Sequence, residues 1–203
     1  MQDRHRSPMN NVAPLGMLDR FSAGRNVASE VEAIGLFTLL RGNQQLVWEI
    51  SSNGCWERAH EICRILAADG VACAKVFAMS GLRLGIGDRD MKPPRSPKAG
   101  PWVPWPMHVA PCVRLEIGGA ISAVVLDPTV LDGPGPISSW LKTLGDDQAL
   151  AEIQRPEHFQ FSNYHVTPGL TLELGGFSSD YDFVKTGKGL AELARGRAYL
   201  CGD

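Results

Sequence analysis

The order of polar and apolar positions predicts an arm followed by a helix at the start of the chain. Residues 1–26 are polar and broken by prolines and glycines, so we expect a flexible N-terminal arm there and a single domain over 27–203. Ser29 and Glu32 then have the spacing of a helix capping box, and a largely apolar run follows them. This pattern predicts a helix over 29–41.

A second amphipathic pattern begins after residue 54. Apolar residues recur there at every third or fourth position, which is the period of a helix, with Gly54 before the pattern and Gly70 after it. The positions that share the apolar face are Cys55, Ala59, Ile62, Cys63 and Leu66. We therefore expect a helix whose first turn carries an inward-facing Cys55.

Runs of branched and small residues predict a strand at 71–79 and a hairpin at 107–127. The two hairpin strands, 107–117 and 120–127, are separated by Gly118 and Gly119, which suit a two-residue turn. Between the first strand and the hairpin, repeated prolines predict a long loop over 81–106.

The last third of the chain has weaker periodicity. Short helices are expected at 137–144 and 146–154, strands at 159–166 and 170–174, and a final helix at 187–197. No internal repeat is visible.

Composition and charge exclude several classes of protein. The chain has 203 residues and a formal net charge of −2, so it can bury one core but has no overall field that attracts nucleic acid or an anionic membrane. We therefore expect neither nucleic acid nor membrane as a partner. No signal sequence is visible, which predicts a cytoplasmic protein or one exported by a route without a classical signal peptide.

Five cysteines without regular spacing favour neither a disulfide framework nor a zinc site. Cys55 differs from the others in its place at a helix start. The unpaired N–H groups and positive dipole end of a helix favour a thiolate there, and the same N–H groups can hold a developing oxyanion. Cys55 is therefore the candidate nucleophile.

The hairpin supplies a candidate base and a group to orient it. If Gly118 and Gly119 form the turn, Asp127 lies opposite Ala110 and diagonal to His108, with roughly 7–8 Å between their backbones. An Asp there can fix the tautomer and orientation of the imidazole. The face that carries His108 has small residues at Ala110 and Cys112, so we expect the helix that carries Cys55 to lie across it.

Three segments together carry a resemblance to a known family. They are N-G-C-W-E-R-A-H-E-I-C-R-I-L, W-V-P-W-P-M-H-V-A-P and V-V-L-D-P-T-V, and with Trp140 they span about 53–141. This part of the chain resembles the bacterial protein-glutaminases, which are protein-glutamine deamidases. The resemblance implies an α+β fold with a papain-like, transglutaminase-like core, in which a helix bearing the cysteine packs on an antiparallel sheet bearing His and Asp.

The resemblance also implies roles for individual residues. It assigns the nucleophile to Cys55, the base to His108 and the orienting carboxylate to Asp127, with no metal or organic cofactor. The implied reaction converts a glutamine side chain, exposed on a protein or peptide, to glutamate and ammonia through a thioester. Candidate residues of the substrate cleft are tryptophans: Trp56, Trp102, Trp105 and Trp140.

Alternatives remain open from the sequence. The same core serves cysteine proteases and transglutaminase-like acyltransferases, and a catalytically silent domain would use the cleft to bind a partner segment. Trp102 and Trp105 either latch the proline-rich loop or line the cleft. His60, five residues after Cys55 and about 140° around the helix from it, caps the packing, faces solvent or braces the site.

Overall fold

The computed structural model describes residues 18–48, 54–79, 107–144, 149–161, 164–167 and 171–201. The described helices are α1 (Glu30–Gly42), α2 (Cys55–Ala68), α3 (Ile137–Thr143) and α4 (Val184–Cys201). The described strands are β1 (Cys73–Met79), β2 (Met107–Ile117), β3 (Ala120–Val125), β4 (Gly135–Pro136), β5 (Leu150–Gln154), β6 (His158–Phe161), β7 (Tyr164–Thr167), β8 (Thr171–Leu174) and β9 (Phe177–Ser179). The predicted loop over 81–106 lies outside the described residues.

Five of these strands form one antiparallel sheet in the order β4-β3-β2-β1-β5. Two-stranded sheets pair β6 with β9 and β7 with β8. The mixture of helices with an antiparallel sheet confirms the predicted α+β class.

The two predicted N-terminal helices are confirmed. The Ser29 side chain accepts from the N–H of Glu32 at 3.2 Å, and the Glu32 carboxylate accepts from the N–H of Ala28 at 2.8 Å, as a helix start requires. Helix α2 begins at Cys55, directly after Gly54, which has a left-handed φ of 87°. This conformation suits glycine because it has no Cβ.

The predicted hairpin is also confirmed, with Gly118 and Gly119 in left-handed conformations at φ 59° and 79°. Its register pairs Ile117 with Ala120 and continues to Cys112 opposite Val125. Strand β3 ends there, and the carbonyl of Pro111 accepts from the N–H of Leu126 at 3.0 Å.

Pro111 explains why the ladder ends there. In an antiparallel strand the N and the carbonyl of one residue point to the same side, so the ring nitrogen of Pro111 also faces β3. It has no N–H to donate, and pairing cannot continue. The paired part of β2 and β3 therefore runs from Cys112 to Ile117, and His108 lies beyond the end of this ladder.

The two faces of the sheet are covered by different helices. On one face Val113, Leu115 and Val124 pack against Ile62 and Leu66 of α2. On the other, small residues of β1 and β2 pack against α3 and its fully buried Trp140; they are Ala74, Val76, Ala78, Ala110 and Cys112. The expectation that α2 covers the Ala110 and Cys112 face was therefore wrong, since the bulky Trp140 fills the space that these small residues leave.

Other predictions for the last third need correction. Residues 150–154 were expected to be part of a helix, but they form β5, which pairs with β1 at the edge of the sheet. Leu, Ala, Glu and Gln favour helices, and here tertiary pairing outweighs that preference. The short helix at α3 and the strand near 170–174 are confirmed. The single strand predicted over 159–166 corresponds to two strands, β6 and β7, which belong to separate sheets. Helix α4 is longer than expected, and β9 was missed.

Residues 18–26, assigned to the flexible arm, are docked on the sheet. Phe21 is buried, and the backbone of Ser22 donates to the carbonyl of Cys73 at 2.8 Å. The backbone N–H of Arg25 donates to the carbonyl of Gly70 at 2.9 Å. The rest of the expected arm, 1–17, lies outside the described residues. No helix in the described ranges is both long and apolar enough to cross a membrane.

Candidate active site

Cys55 occupies the first position of α2 and is partly exposed. Backbone hydrogen bonding of the helix begins around it, since the N–H of Arg58 donates to the carbonyl of Gly54 at 3.0 Å. The N–H groups of a first helical turn lack partners within the helix and point along its axis. The thiol therefore lies at the positive end of the helix dipole, as the sequence pattern predicted.

His108 and Asp127 meet where the hairpin ladder ends. His108 Nε2 lies 2.8 Å from Asp127 Oδ2, and both side chains are buried. If the register of the hairpin is extended by two residues, Asp127 falls opposite Ala110, so the predicted diagonal placement holds. Since Asp127 occupies Nε2, Nδ1 is the ring nitrogen left for another partner.

Cys55 is the other side chain that acts on the imidazole, since a hydrogen bond and the charge of Cys55 are among the influences that raise the pKa of His108. Burial lowers the pKa of His108, but the charge and hydrogen bond of Asp127 and the contact with Cys55 raise it further, to about 9. The imidazole is therefore held in its protonated form at neutral pH. A hydrogen-bonded chain runs from Cys55 through His108 to Asp127.

Three donors converge on the Asp127 carboxylate. Besides His108, the indole Nε1 of Trp140 donates to Oδ2 at 2.9 Å, and the N–H of Thr129 donates to Oδ1 at 3.1 Å. Burial raises the pKa of Asp127, but the charge of His108 and these hydrogen bonds outweigh burial and leave the pKa lowered. Asp127 is therefore a charged carboxylate even though it is buried.

A pocket opens beside the chain from Cys55 to Asp127. Its lining includes Cys55, His108 and Asp127, together with apolar residues and two polar ones that sequence reasoning missed, Arg58 and Thr129. Arg58 is buried and donates to the carbonyl of Val47 at 3.3 Å. Its position one helical turn after Cys55 is the sequence signal that identifies it.

Two of the four tryptophans predicted to line the cleft, Trp56 and Trp140, lie within the described residues. Trp140 has no exposed surface, so it cannot line an open cleft, and its contact with Asp127 replaces that expectation. Trp56 packs against Phe77 and Phe161, with ring centroids 5.8 and 5.2 Å apart, and is not among the pocket residues. Trp48, which was not predicted from the sequence, lines this pocket. Trp102 and Trp105 lie outside the described residues.

The sequence profile of a family described as Glutaminase matches residues 31–144, which include Cys55, His108, Asp127 and Trp140. The match covers more than half of the chain. The chain belongs to this glutaminase family. It is therefore a cysteine-dependent amidohydrolase that acts on the side-chain amide of glutamine, and the predicted family is confirmed. A comparison with curated proteins returned no match.

Solved structures with similar folds agree with this membership. A crystal structure of protein-glutaminase is 16% identical, with a TM-score of 0.62 over 85% of this chain and 90% of that one. The NMR structure of protein-glutaminase from Chryseobacterium proteolyticum is 17% identical, with a TM-score of 0.64 over the same shares of 85% and 90%. A crystal structure of pro-protein-glutaminase is 18% identical, with a TM-score of 0.65 over 86% of this chain and 60% of that one. The glutaminase described here thus has the protein-glutaminase fold, as the sequence analysis expected.

Proposed function

We propose that Cys55, His108 and Asp127 carry out the glutaminase reaction and that the substrate is a glutamine side chain within a protein or peptide. The observation that carries the assignment is the hydrogen-bonded chain from Cys55 to His108 to Asp127 at the edge of a pocket. The arrangement matches the geometry by which a thiol, an imidazole and a carboxylate cooperate in acyl transfer.

In the first step the Cys55 thiolate attacks the carboxamide carbon of glutamine. The C–N bond breaks as the protonated His108 donates a proton to the departing nitrogen, and ammonia leaves. The products of this step are a γ-glutamyl thioester on Cys55 and a neutral imidazole. The negative charge that develops on the amide oxygen is stabilised by donors at the start of α2, including the N–H of Cys55.

In the second step water hydrolyses the thioester. The neutral His108 takes a proton from the water as its oxygen attacks the acyl carbon, and the C–S bond breaks to release glutamate. The Cys55 thiolate and the protonated imidazole are regenerated. Asp127 stays charged throughout, since its role is to orient the ring and to stabilise its positive charge.

A protein-bound substrate is supported by the similarity to protein-glutaminases and by the position of the thiol. Cys55 is partly exposed at the start of a helix, while His108 and Asp127 are buried behind it. A side chain that enters from solvent therefore meets the sulfur before the other two groups.

The test is the product formed from a peptide with one internal glutamine and blocked termini. Deamidation adds about 1 Da to the peptide and releases one ammonia per turnover, since an amide becomes an acid. Mass spectrometry with fragmentation places the change on the glutamine side chain. New peptide termini, or an amine adduct formed without hydrolysis, would contradict the proposal.

A further inference from the structure

A second buried polar cluster lies between α2 and β1, apart from the candidate active site. Lys75 of β1 has no exposed surface, and its Nζ lies 2.6 Å from Nδ1 of His60 and 2.7 Å from the carbonyl of His158. His60 is also buried, and its Nε2 lies 3.2 Å from the carbonyl oxygen of Asp180. His60 therefore does not face solvent, which was one of the alternatives that its sequence position left open.

The partners of His60 define its tautomer. A carbonyl oxygen only accepts, so Nε2 carries the hydrogen and donates to Asp180, and Nδ1 accepts from the Lys75 amine. Burial and the charge of Lys75 lower the pKa of His60 to about 4, so the ring is neutral at neutral pH. His60 thus connects the central sheet to the segment before α4 through two directed hydrogen bonds.

The Asp180 side chain lies before α4 and accepts hydrogen bonds from the first turn of that helix. Its carboxylate accepts from the N–H of Lys185 at 3.0 Å and from the N–H and hydroxyl of Thr186 at 2.7 and 2.6 Å. Between them, Phe183 adopts a left-handed φ of 54°, and its ring centroid lies 4.8 Å from that of His60. A strained non-glycine residue persists only where its surroundings hold it, and here His60 is one of the groups that hold it.

Helix α4 contacts residues that lie just before and just after Cys55 in the sequence. A Cβ placed on Gly54 would lie 2.2 Å from Leu193 Cδ1, and a Cβ on Gly189 would lie 2.4 Å from Glu57 Cγ. The residues immediately before and two after the cysteine are therefore in close contact with α4. The position of α4 determines where the first turn of α2 lies.

We propose that His60, held by Lys75 and by the Asp180 carbonyl, is a positioning residue that fixes α4 against the first turn of α2 and so sets Cys55 in reach of His108. His60 touches neither the reacting sulfur nor the pocket described above. It acts through α4 from five residues away. The inference deepens the proposed function, because it assumes that Cys55 is the reactive thiol.

The test compares His60→Leu, which removes both hydrogen bonds, with His60→Gln, whose amide retains a donor and an acceptor. Leu66→Ala is the matched control, because it removes buried volume from α2 at the end away from Cys55 and leaves the polar cluster intact. For each folded variant we would measure the melting temperature, kcat and KM on the glutamine peptide, and the rate of Cys55 alkylation by iodoacetamide. Peptide mapping identifies the alkylated cysteine.

A positioning role predicts that His60→Leu lowers kcat and the Cys55 alkylation rate by about tenfold or more with little change in KM, because a small displacement of a nucleophile costs much reactivity. His60→Gln should recover most of both rates. Leu66→Ala should lower the melting temperature and keep both rates near those of the wild type. If His60→Leu fails to fold, Lys75→Met removes one of the same hydrogen bonds and should shift the two rates in the same direction.

Wild-type rates in folded His60→Leu, or an equal loss of both rates in Leu66→Ala, would overturn the inference. The alkylation rate separates this proposal from the reaction itself. A slow-alkylating His60→Leu beside a wild type that alkylates quickly but releases no ammonia would support the positioning role and contradict the glutamine substrate.

Discussion

The indole of Trp140 donates to Asp127 Oδ2 at 2.9 Å, the same oxygen that lies 2.8 Å from His108 Nε2. Trp140 comes from α3 and Asp127 from the end of the hairpin, so the contact ties the two elements together beneath the imidazole. Two donors on one oxygen stabilise its charge and restrict its rotation. The orientation of His108 therefore depends on a residue that is itself fully buried.

Removing the indole donor tests this dependence. Trp140→Phe keeps an aromatic ring but leaves Oδ2 with His108 as its remaining partner among the donors described above. We expect a loss of stability of about 1–3 kcal/mol and a drop in kcat of about tenfold, since a buried carboxylate loses a hydrogen bond. Denaturant unfolding and ammonia release measure the two effects. An unchanged kcat would show that His108 does not need this contact.

The charge of Asp127 is tested by Asp127→Asn. The amide has the shape of the carboxylate but cannot stabilise a protonated imidazole, so we expect kcat to fall by about 10³-fold or more. The measurement is ammonia release under saturating peptide, with circular dichroism to verify folding. A loss below about tenfold would contradict the orienting role assigned to this carboxylate.

The pH dependence follows from the raised pKa of His108, which lies at about 9 against an ordinary value of 6.5. The folded protein binds the proton of His108 more tightly than the unfolded chain does, so the protonated ring stabilises the fold. This stabilisation is fully present below pH 6.5 and is lost as the pH rises through about 9. Because the proposed mechanism uses the protonated ring as the acid that expels ammonia, we expect kcat/KM to fall with a midpoint near pH 9.

A pH profile of peptide deamidation measures that midpoint. In Asp127→Asn the residual activity should begin to fall at a lower pH than in the wild type. The reason is that the charge of Asp127, which is the largest influence raising the His108 pKa, is gone. A wild-type midpoint near the ordinary histidine value would contradict the buried ion pair.

The close approach of α4 to Gly54 gives a test by substitution. Gly54→Ala places a methyl group where Leu193 Cδ1 lies and also strains the left-handed φ of 87°. Gly70→Ala is the control, because Gly70 is also left-handed, at φ 68°, but has open space around it. We expect Gly70→Ala to lower the free energy of unfolding by about 1 kcal/mol, because of backbone strain alone. Gly54→Ala should lower it clearly more, because the clash with Leu193 adds to the strain.

Thermal unfolding of the two alanine variants compares these costs, and the Cys55 alkylation rate reports on the site. Gly54→Ala should slow alkylation while Gly70→Ala leaves it unchanged. Leu193→Ala combined with Gly54→Ala should restore part of the stability, since it removes the atom that clashes. An equal loss of stability in Gly54→Ala and Gly70→Ala would show that α4 does not constrain the first turn of α2.

The parts of the fold that the sequence predicted correctly depend on local signals. The capping residues of α1, the period of α2 and the glycine pair of the hairpin each act within a few residues. The register that follows from Gly118 and Gly119 was enough to place Asp127 near His108. Two members of the candidate site therefore followed from local geometry, and the third from its place at a helix start.

The parts that the sequence did not predict depend on contacts between distant segments. Residues 150–154 have helical preferences and become a strand only because β1 offers an open edge. The sequence pattern of Trp140 is typical of a cleft residue, but the structure shows its indole bonded to Asp127. The position of His60 on its helix allows exposure, but the structure shows it bonded to Lys75 and to the carbonyl of Asp180. None of these contacts has a signal at short sequence separation.

The most direct measurement of the central claim is ammonia release from a glutamine peptide by the wild type beside Cys55→Ala. Folding of both proteins is verified first, and Cys63→Ala serves as a control because Cys63 is a buried thiol that packs on the sheet. We expect steady ammonia release by the wild type and by Cys63→Ala, and none above background with Cys55→Ala. Release by Cys55→Ala at the wild-type rate would contradict it, because the reaction would then proceed without the thiol that the site is built around.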